Sequence, residues 1–144
     1  MSDLVIKLAD LPTDLPAIQA IRRTVFQEEQ KVAPDLDFDG QDEACEQIIA
    51  YLNQQAVGTA RVRYLDEKTA KIERLAVLPI ARGYGLGKKI MTKALDTIAE
   101  KKIAHVIIHA QEYIKGLYQQ LGFEEVGDRF EDAGITHVKM SKNL

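Results

Sequence analysis

One run, Ile72 to Met91, restricts the fold more than any other part of the chain. It begins as an apolar strand ending Leu75-Ala76-Val77 and passes a short connection marked by Pro79. It then enters the glycine-spaced turn Gly83-Tyr84-Gly85-Leu86-Gly87. From Gly85 to Lys101 the pattern is helical, with Leu86, Ile90, Met91, Ala94, Leu95 and Ile98 on one stripe. Three glycines at alternate positions expose backbone N–H groups where a helix begins. Those unpaired donors, at the positive end of the helix dipole, suit a phosphate or pyrophosphate. Arg82, Lys88 and Lys89 add local positive charge.

The flanking segments extend this unit to an α/β chain. Val5 to Leu8 is a short apolar strand, and Thr13 or Asp14 caps a helix with Pro16 in its first turn and Leu15, Ile18, Ile21 and Val25 at helical spacing. The acidic, turn-rich stretch Asp35 to Gly40 reads as a loop. Gln47–Leu52, Val57–Leu65 and Thr69–Val77 form a three-strand meander, its first turn at Asn53-Gln54-Gln55 and its second at Asp66-Glu67-Lys68. His105 to Ala110 is too short and too β-branched for a helix and reads as a buried strand. A short helix, Tyr113 to Leu121, closes at Gly122, and Phe123–Phe130 and Thr136–Met140 are the last strands. The expectation is a single domain over 1–144, a mixed, mostly antiparallel sheet flanked by helices in the order β-α-β-β-β-α-β-α-β-β.

Composition narrows the partners. The 144 residues carry a net charge of −3 with no long block of like charge, which argues against nucleic acid or an anionic membrane. Cys45 is the sole cysteine, so no internal disulfide is possible. The first residues show no basic segment followed by a long apolar stretch, so a cytoplasmic location is expected.

Two common nucleotide motifs fail on spacing. A P-loop would place Arg82 where glycine belongs and Lys89 where Ser or Thr belongs, and the Rossmann fingerprint spaces its last two glycines three apart rather than two. His105 and His109 have a metal-like interval, but in a strand four residues span roughly 13 Å, too far for one zinc ion to bridge at about 2 Å per bond. No metal is expected. Cys45 lies in a polar segment with no activating partner.

Glu73 shares a strand face with Leu75 and Val77 by simple alternation, unless a bulge shifts the phase. Among apolar groups its pKa would rise, as a general base near neutral pH requires. The alternative is an ion pair with Arg61 or Arg63 on the neighbouring strand. Tyr118, one turn before Gly122, is suited either to donate a proton to a leaving group or to pack with its hydroxyl satisfied. Gly116, inside the same helix, points to a close approach by a ligand or another backbone.

In their order and residues these elements resemble the GNAT superfamily of N-acetyltransferases. Arg82-Gly83-Tyr84-Gly85-Leu86-Gly87 fits that family's Arg/Gln-x-x-Gly-x-Gly/Ala pattern, and Leu117-Tyr118-Gln119-Gln120-Leu121-Gly122-Phe123 is similar to its Leu-Tyr-x-x-x-Gly-Phe. The resemblance covers essentially the whole chain. Arg22 to Gln30, Asp37 to Gly40 and Phe130 to His137 are similar to the ElaA-type branch. That branch typically has Pro where Thr136 stands and often His where Gln47 stands.

The resemblance implies acetyl-CoA as acyl donor and an amine of a small molecule or peptide as acceptor. It implies that N–H groups from Arg82 to Lys88 hold the pyrophosphate, with Tyr84 and Leu86 in the same loop, and that the pantetheine arm pairs along Leu75, Ala76 and Val77. It further implies Glu73 as base, Tyr118 as proton donor to the thiolate, His137 as a rival base, Gln111 beside the cofactor, and Arg22 and Glu29 on the acceptor side. The alternative for the last two is a salt bridge on one helical face. Direct transfer in a ternary complex is expected, since no activated cysteine or serine is apparent. The rival from another class is a non-catalytic acyl-CoA-binding or sensing module. A nucleotide-binding protein is a third reading, disfavoured by the glycine spacing. A homodimer through a C-terminal strand is compatible with such a sheet.

Overall fold

The computed structural model describes residues 3–144. Strand β1 (Leu4–Leu8) leads to helix α1 (Leu15–Arg22), whose N-cap is Asp14 with Pro16 in the first turn. The Asp14 side chain leaves the cap amides alone and accepts hydrogen bonds from the Asp10 N–H (2.8 Å) and the Tyr51 hydroxyl (2.7 Å). The helix continues as a wider π-type winding over Arg23–Glu29, closed by a bond from the Gln30 N–H to the Val25 carbonyl five residues back. One helical turn, α2 (Pro34–Asp37), then lies inside the stretch expected to be loop, with proline at its first positions where no N–H is missed.

Strands β2 (Glu46–Leu52), β3 (Gln55–Tyr64) and β4 (Thr69–Val77) form the expected meander. Its first turn is tight, since Asn53 and Gln54 both take positive φ (49° and 69°), as a two-residue hairpin with the natural twist requires, and Gln55 already pairs with Leu52. Helix α3 (Leu86–Glu100) carries the chain to β5 (His105–Gln111), which runs parallel to β4. Helix α4 (Lys115–Gln120) precedes β6 (Glu124–Glu125), β7 (Phe130–Asp132) and β8 (Ile135–Asn143). The strand expected over Phe123–Phe130 is thus two short pieces. The chain turns out of the ladder at Gly127 (φ 81°), and both pieces pair with the same edge of β8. The sheet order is β1-β2-β3-β4-β5-β8-β6.

The α3 stripe packs on one sheet face against Ala60, Val62, Ala70, Ile72, Val106 and Ile108. A Cβ on Gly58 would stand 2.6 Å from Ile90 Cδ1, so this glycine lets α3 approach the sheet. A Cβ on Gly116 would meet nothing within 4 Å, so no backbone presses on that glycine as expected; it lies over open space. On the opposite face Ile21 and Val25 of the first helix cover Ala76. No helix among the described residues is long and apolar enough to cross a membrane.

Candidate active site

A bulge in β4 creates the site. Thr59 pairs with Ala76 and Arg61 with Glu73, so Ala60 alone faces two residues, Arg74 and Leu75, and Arg74 takes φ 58°. The bulge shifts the alternation. Glu73 faces the same side as Arg61 and Ala76, while Leu75 and Val77 pack toward α3. Already two residues before the bulge β4 loses its parallel neighbour, because pairing with β5 runs only through Thr69↔His105, Ala70↔Val106 and Lys71↔Ile107. The diverging strands open a cavity of about 710 Å³.

At one end lies the glycine turn. Gly85 at φ 72° is the N-cap of α3, a backbone shape that favours glycine, and the first helical amides have no carbonyl within the helix. Every cradle residue expected from sequence lines the cavity except Tyr84, whose side chain points to solvent (76% exposed). The Arg82 side chain is not free for an anion. Its guanidinium is held at both nitrogens by Glu29 (2.9 and 2.6 Å), and its Nε–H donates to the Val77 carbonyl at 2.9 Å. Lys88 is the exposed cation left at this end.

Glu29 therefore sits at the glycine end, paired with Arg82 and not with a residue of its own helix. Gln30 spans to the other lip, exchanging amide hydrogen bonds with Gln111 (2.8 and 3.4 Å). Arg22 is also misplaced by the sequence reading. It is fully buried, bonded through Nε to Asp37 (3.0 Å) and through its terminal nitrogens to Asp42 and the Asp37 carbonyl. It touches no cavity and pairs with no residue of its own helix.

Glu73 lines the cavity, but its surroundings reverse the expected pKa. Burial raises it, yet Arg61 (3.0 and 2.6 Å), Lys71 (3.3 Å) and Arg63 (3.7 Å) together hold the carboxyl below its ordinary value. The predicted raised pKa assumed a face of Leu75 and Val77, which the bulge removed. Arg61 is itself fully buried and shared with Asp39 (2.8 Å to each oxygen) and Asp42 (3.1 Å). Arg74, turned by the bulge, donates to the Leu36 and Asp37 carbonyls (3.0 and 3.4 Å), fixing the α2 segment as one wall. The ion pair of Glu73 with Arg61 and Arg63 is the alternative the sequence offered; the further links to Asp39, Asp42 and the α2 segment were missed, because those partners lie 19 to 38 residues apart.

Three groups at the other walls remain chemically available. Tyr118 is buried and packs edge-on against Phe123, and burial drives its phenol pKa well above the ordinary value, so it stays protonated at neutral pH. His137 is buried with its ring stacked on Phe130 (centroids 5.7 Å apart). Its Nδ1 lies 2.7 Å from the Ile135 carbonyl, which can only accept, so Nδ1 carries the hydrogen and a neutral ring keeps its lone pair on Nε2. His109 is exposed, lies edge-on to Phe130 at 5.0 Å and lines the cavity. Partial burial of its ring and the nearby Lys71 and Lys139 lower its pKa. His105 bonds Asn143 instead (3.0 Å).

Comparison with known proteins gives this geometry a context. Residues 20–144 match a family model described as an acetyltransferase (GNAT) domain. Protein YyaT of Bacillus subtilis is 39% identical, aligned over 96% of this chain and 95% of its own length. Protein ElaA of Escherichia coli is 30% identical over 92% and 89% of the two chains. Its crystal structure superposes with a TM-score of 0.84, covering 99% of each chain at 28% identity. A GNAT family acetyltransferase from Elizabethkingia anophelis, solved with acetyl-CoA bound, has the same fold (TM-score 0.76, 98% of each chain, 16% identity).

Proposed function

The chain belongs to the GNAT acetyltransferase family and is an acyltransferase, and on that premise we propose that it moves the acetyl group of acetyl-CoA directly to an amine in a ternary complex. The observation that carries this reading is the cavity itself. Free helical amides and Lys88 stand at one end, an unpaired β4 edge runs along it, and His137 and Tyr118 share its walls. The amides of the turn and Lys88 suit a pyrophosphate, while Arg82 acts by positioning, since Glu29 occupies its guanidinium. The free edge at Leu75 to Val77 suits the amides of a pantetheine arm, with Gln111 on the facing strand. A backbone N–H near Val77 polarises the thioester carbonyl.

The chemical step then needs one base and one acid. As the amine nitrogen bonds to the carbonyl carbon, His137 Nε2 takes the nitrogen's proton. As the carbon–sulfur bond breaks, the Tyr118 hydroxyl supplies a proton to the departing sulfur. His137 is preferred to Glu73 as base because the Glu73 carboxylate is tied to three cations and its basicity is lowered. Glu73 instead holds the floor of the cavity in place.

Thiol release from acetyl-CoA, measured across a panel of amines, tests the proposal. Release that depends on an amine and yields its N-acetyl product is expected. Tight CoA binding with no release for any amine would make the chain a binding module, and tighter binding of ATP than of CoA would overturn the donor assignment.

A further inference from the structure

The cavity walls carry four cationic side chains and four carboxylates, and six of these neutralise one another. Arg82 pairs with Glu29, Arg74 with Asp37 at 3.7 Å, and Lys71 with Glu73 at 3.3 Å. Lys88 and Asp132 are left over, with no ion-pair partner among the described residues. Lys88 stands in the first turn of α3, at the glycine end. Asp132 closes β7, opposite Ile135 on β8, and shares a face with Phe130, the ring that rests on both His109 and His137. Its carboxylate is near enough to His109 to favour the protonated ring against the effects of burial, Lys71 and Lys139. Of these two lysines, Lys71 is held by Glu73, and Lys139, on β8, does not line the cavity. The two unspent charges thus belong to different parts of the site, a cation by the helix N-terminus and an anion beside the histidines.

A cavity-lining carboxylate with no ion-pair partner makes its end of the site negative and selects for a positive ligand group. Resting on the acetyltransferase reading above, we propose that the acceptor carries a second, permanently protonated nitrogen, an ammonium or guanidinium that seats on Asp132, in addition to the amine that is acetylated. The two nitrogens have separate fates. One, as the neutral amine, bonds to the carbonyl carbon and gives its proton to His137 Nε2; the other keeps its charge and anchors the molecule. The cavity of about 710 Å³ must hold the donor's arm as well as the acceptor, so the acceptor class is a small diamine or guanidino-amine rather than a basic peptide.

The test is a matched set of acceptors in chains of three to six carbons: monoamines, ω-amino acids, α,ω-diamines and ω-guanidinoamines, with a lysine-containing peptide alongside. With acetyl-CoA saturating, kcat/KM is expected to be about tenfold higher for the best diamine or guanidinoamine than for its monoamine, the size of one charge-assisted hydrogen bond. Asp132 is exposed, so its substitution does not threaten the core. In Asp132→Asn the ratio should fall to near one, and Asp132→Glu should retain most of it. Equal or better use of monoamines, amino acids or the peptide would overturn the inference, as would an unchanged ratio in Asp132→Asn. Calorimetric titration of the diamines into CoA-loaded protein separates this inference from the reading beneath it. Diamine binding that Asp132→Asn removes, without thiol release, would sink the transfer reaction alone; absence of diamine binding would sink the cation site.

Discussion

Replacing Glu73 by Gln separates a structural carboxylate from a catalytic one. Glu73 accepts from Arg61 at 3.0 and 2.6 Å, with Lys71 at 3.3 Å and Arg63 at 3.7 Å, and its side chain is 7% exposed. Removing one member of a buried pair costs about 3–5 kcal/mol when the survivor is left uncompensated. Here Arg61 keeps Asp39 and Asp42, and a glutamine oxygen still accepts one N–H, so about 2 kcal/mol is expected. For a chain of this size that lowers Tm by about 6 °C. The folded carboxyl has a lowered pKa, so its contribution is complete above the ordinary glutamate value near 4.5 and is lost as pH falls through the lower, folded-state value. Thermal unfolding at pH 7 and across the acid range should therefore show a gap between wild type and Glu73→Gln that is constant near neutrality and closes in acid. The folded variant should keep its turnover within a few fold of wild type, because His137 remains. A variant as stable as wild type at pH 7, a gap that widens in acid, or loss of turnover in the folded variant would refute the assignment of Glu73 as scaffold.

Further substitutions probe the other assignments. His137→Gln should lower kcat by about 100-fold at pH 7; an unchanged kcat would return the base to Glu73 or to water. Tyr118→Phe should lower kcat by about 100-fold while the CoA dissociation constant, measured by calorimetry, stays within about twofold. Arg22→Met should destabilise by about 3 kcal/mol in denaturant unfolding, because Asp37 and Asp42 lose their buried cation, yet leave the acceptor KM of the folded protein near wild type.

The glycine-turn end of the cavity was legible because its signals are local: glycines at alternate positions, a 3.6-residue stripe, and β-branched runs on either side. The rest of the cavity was not, for reasons of geometry. No residue type announces the bulge at Arg74, a large side chain at φ 58°, so strict alternation put Glu73 on the wrong face and with it the wrong pKa. Arg22 reads as an acceptor-side residue, or as one of a salt bridge on its own helical face, because its true partners lie 15 and 20 residues away. Glu29 meets Arg82 across 53 residues, and no spacing rule spans that distance. The break between β6 and β7 did carry a visible mark, the Gly127-Asp128 pair inside the mostly polar run from Phe123 to Phe130.

The three paired positions between β4 and β5 have a consequence for cooperativity. The sheet is two antiparallel blocks, β1 to β4 and β5 with β8, β6 and β7, stitched by that short parallel seam. A molecule lying along the free edge of β4 supplies the ladder that the seam lacks, so it acts as a temporary strand of the fold. Occupancy and folding are then linked: each tenfold rise of a saturating ligand above its dissociation constant adds about 1.4 kcal/mol to the whole domain. Amide protons of β5 and β8, far from the glycine turn, become reporters of what occupies it.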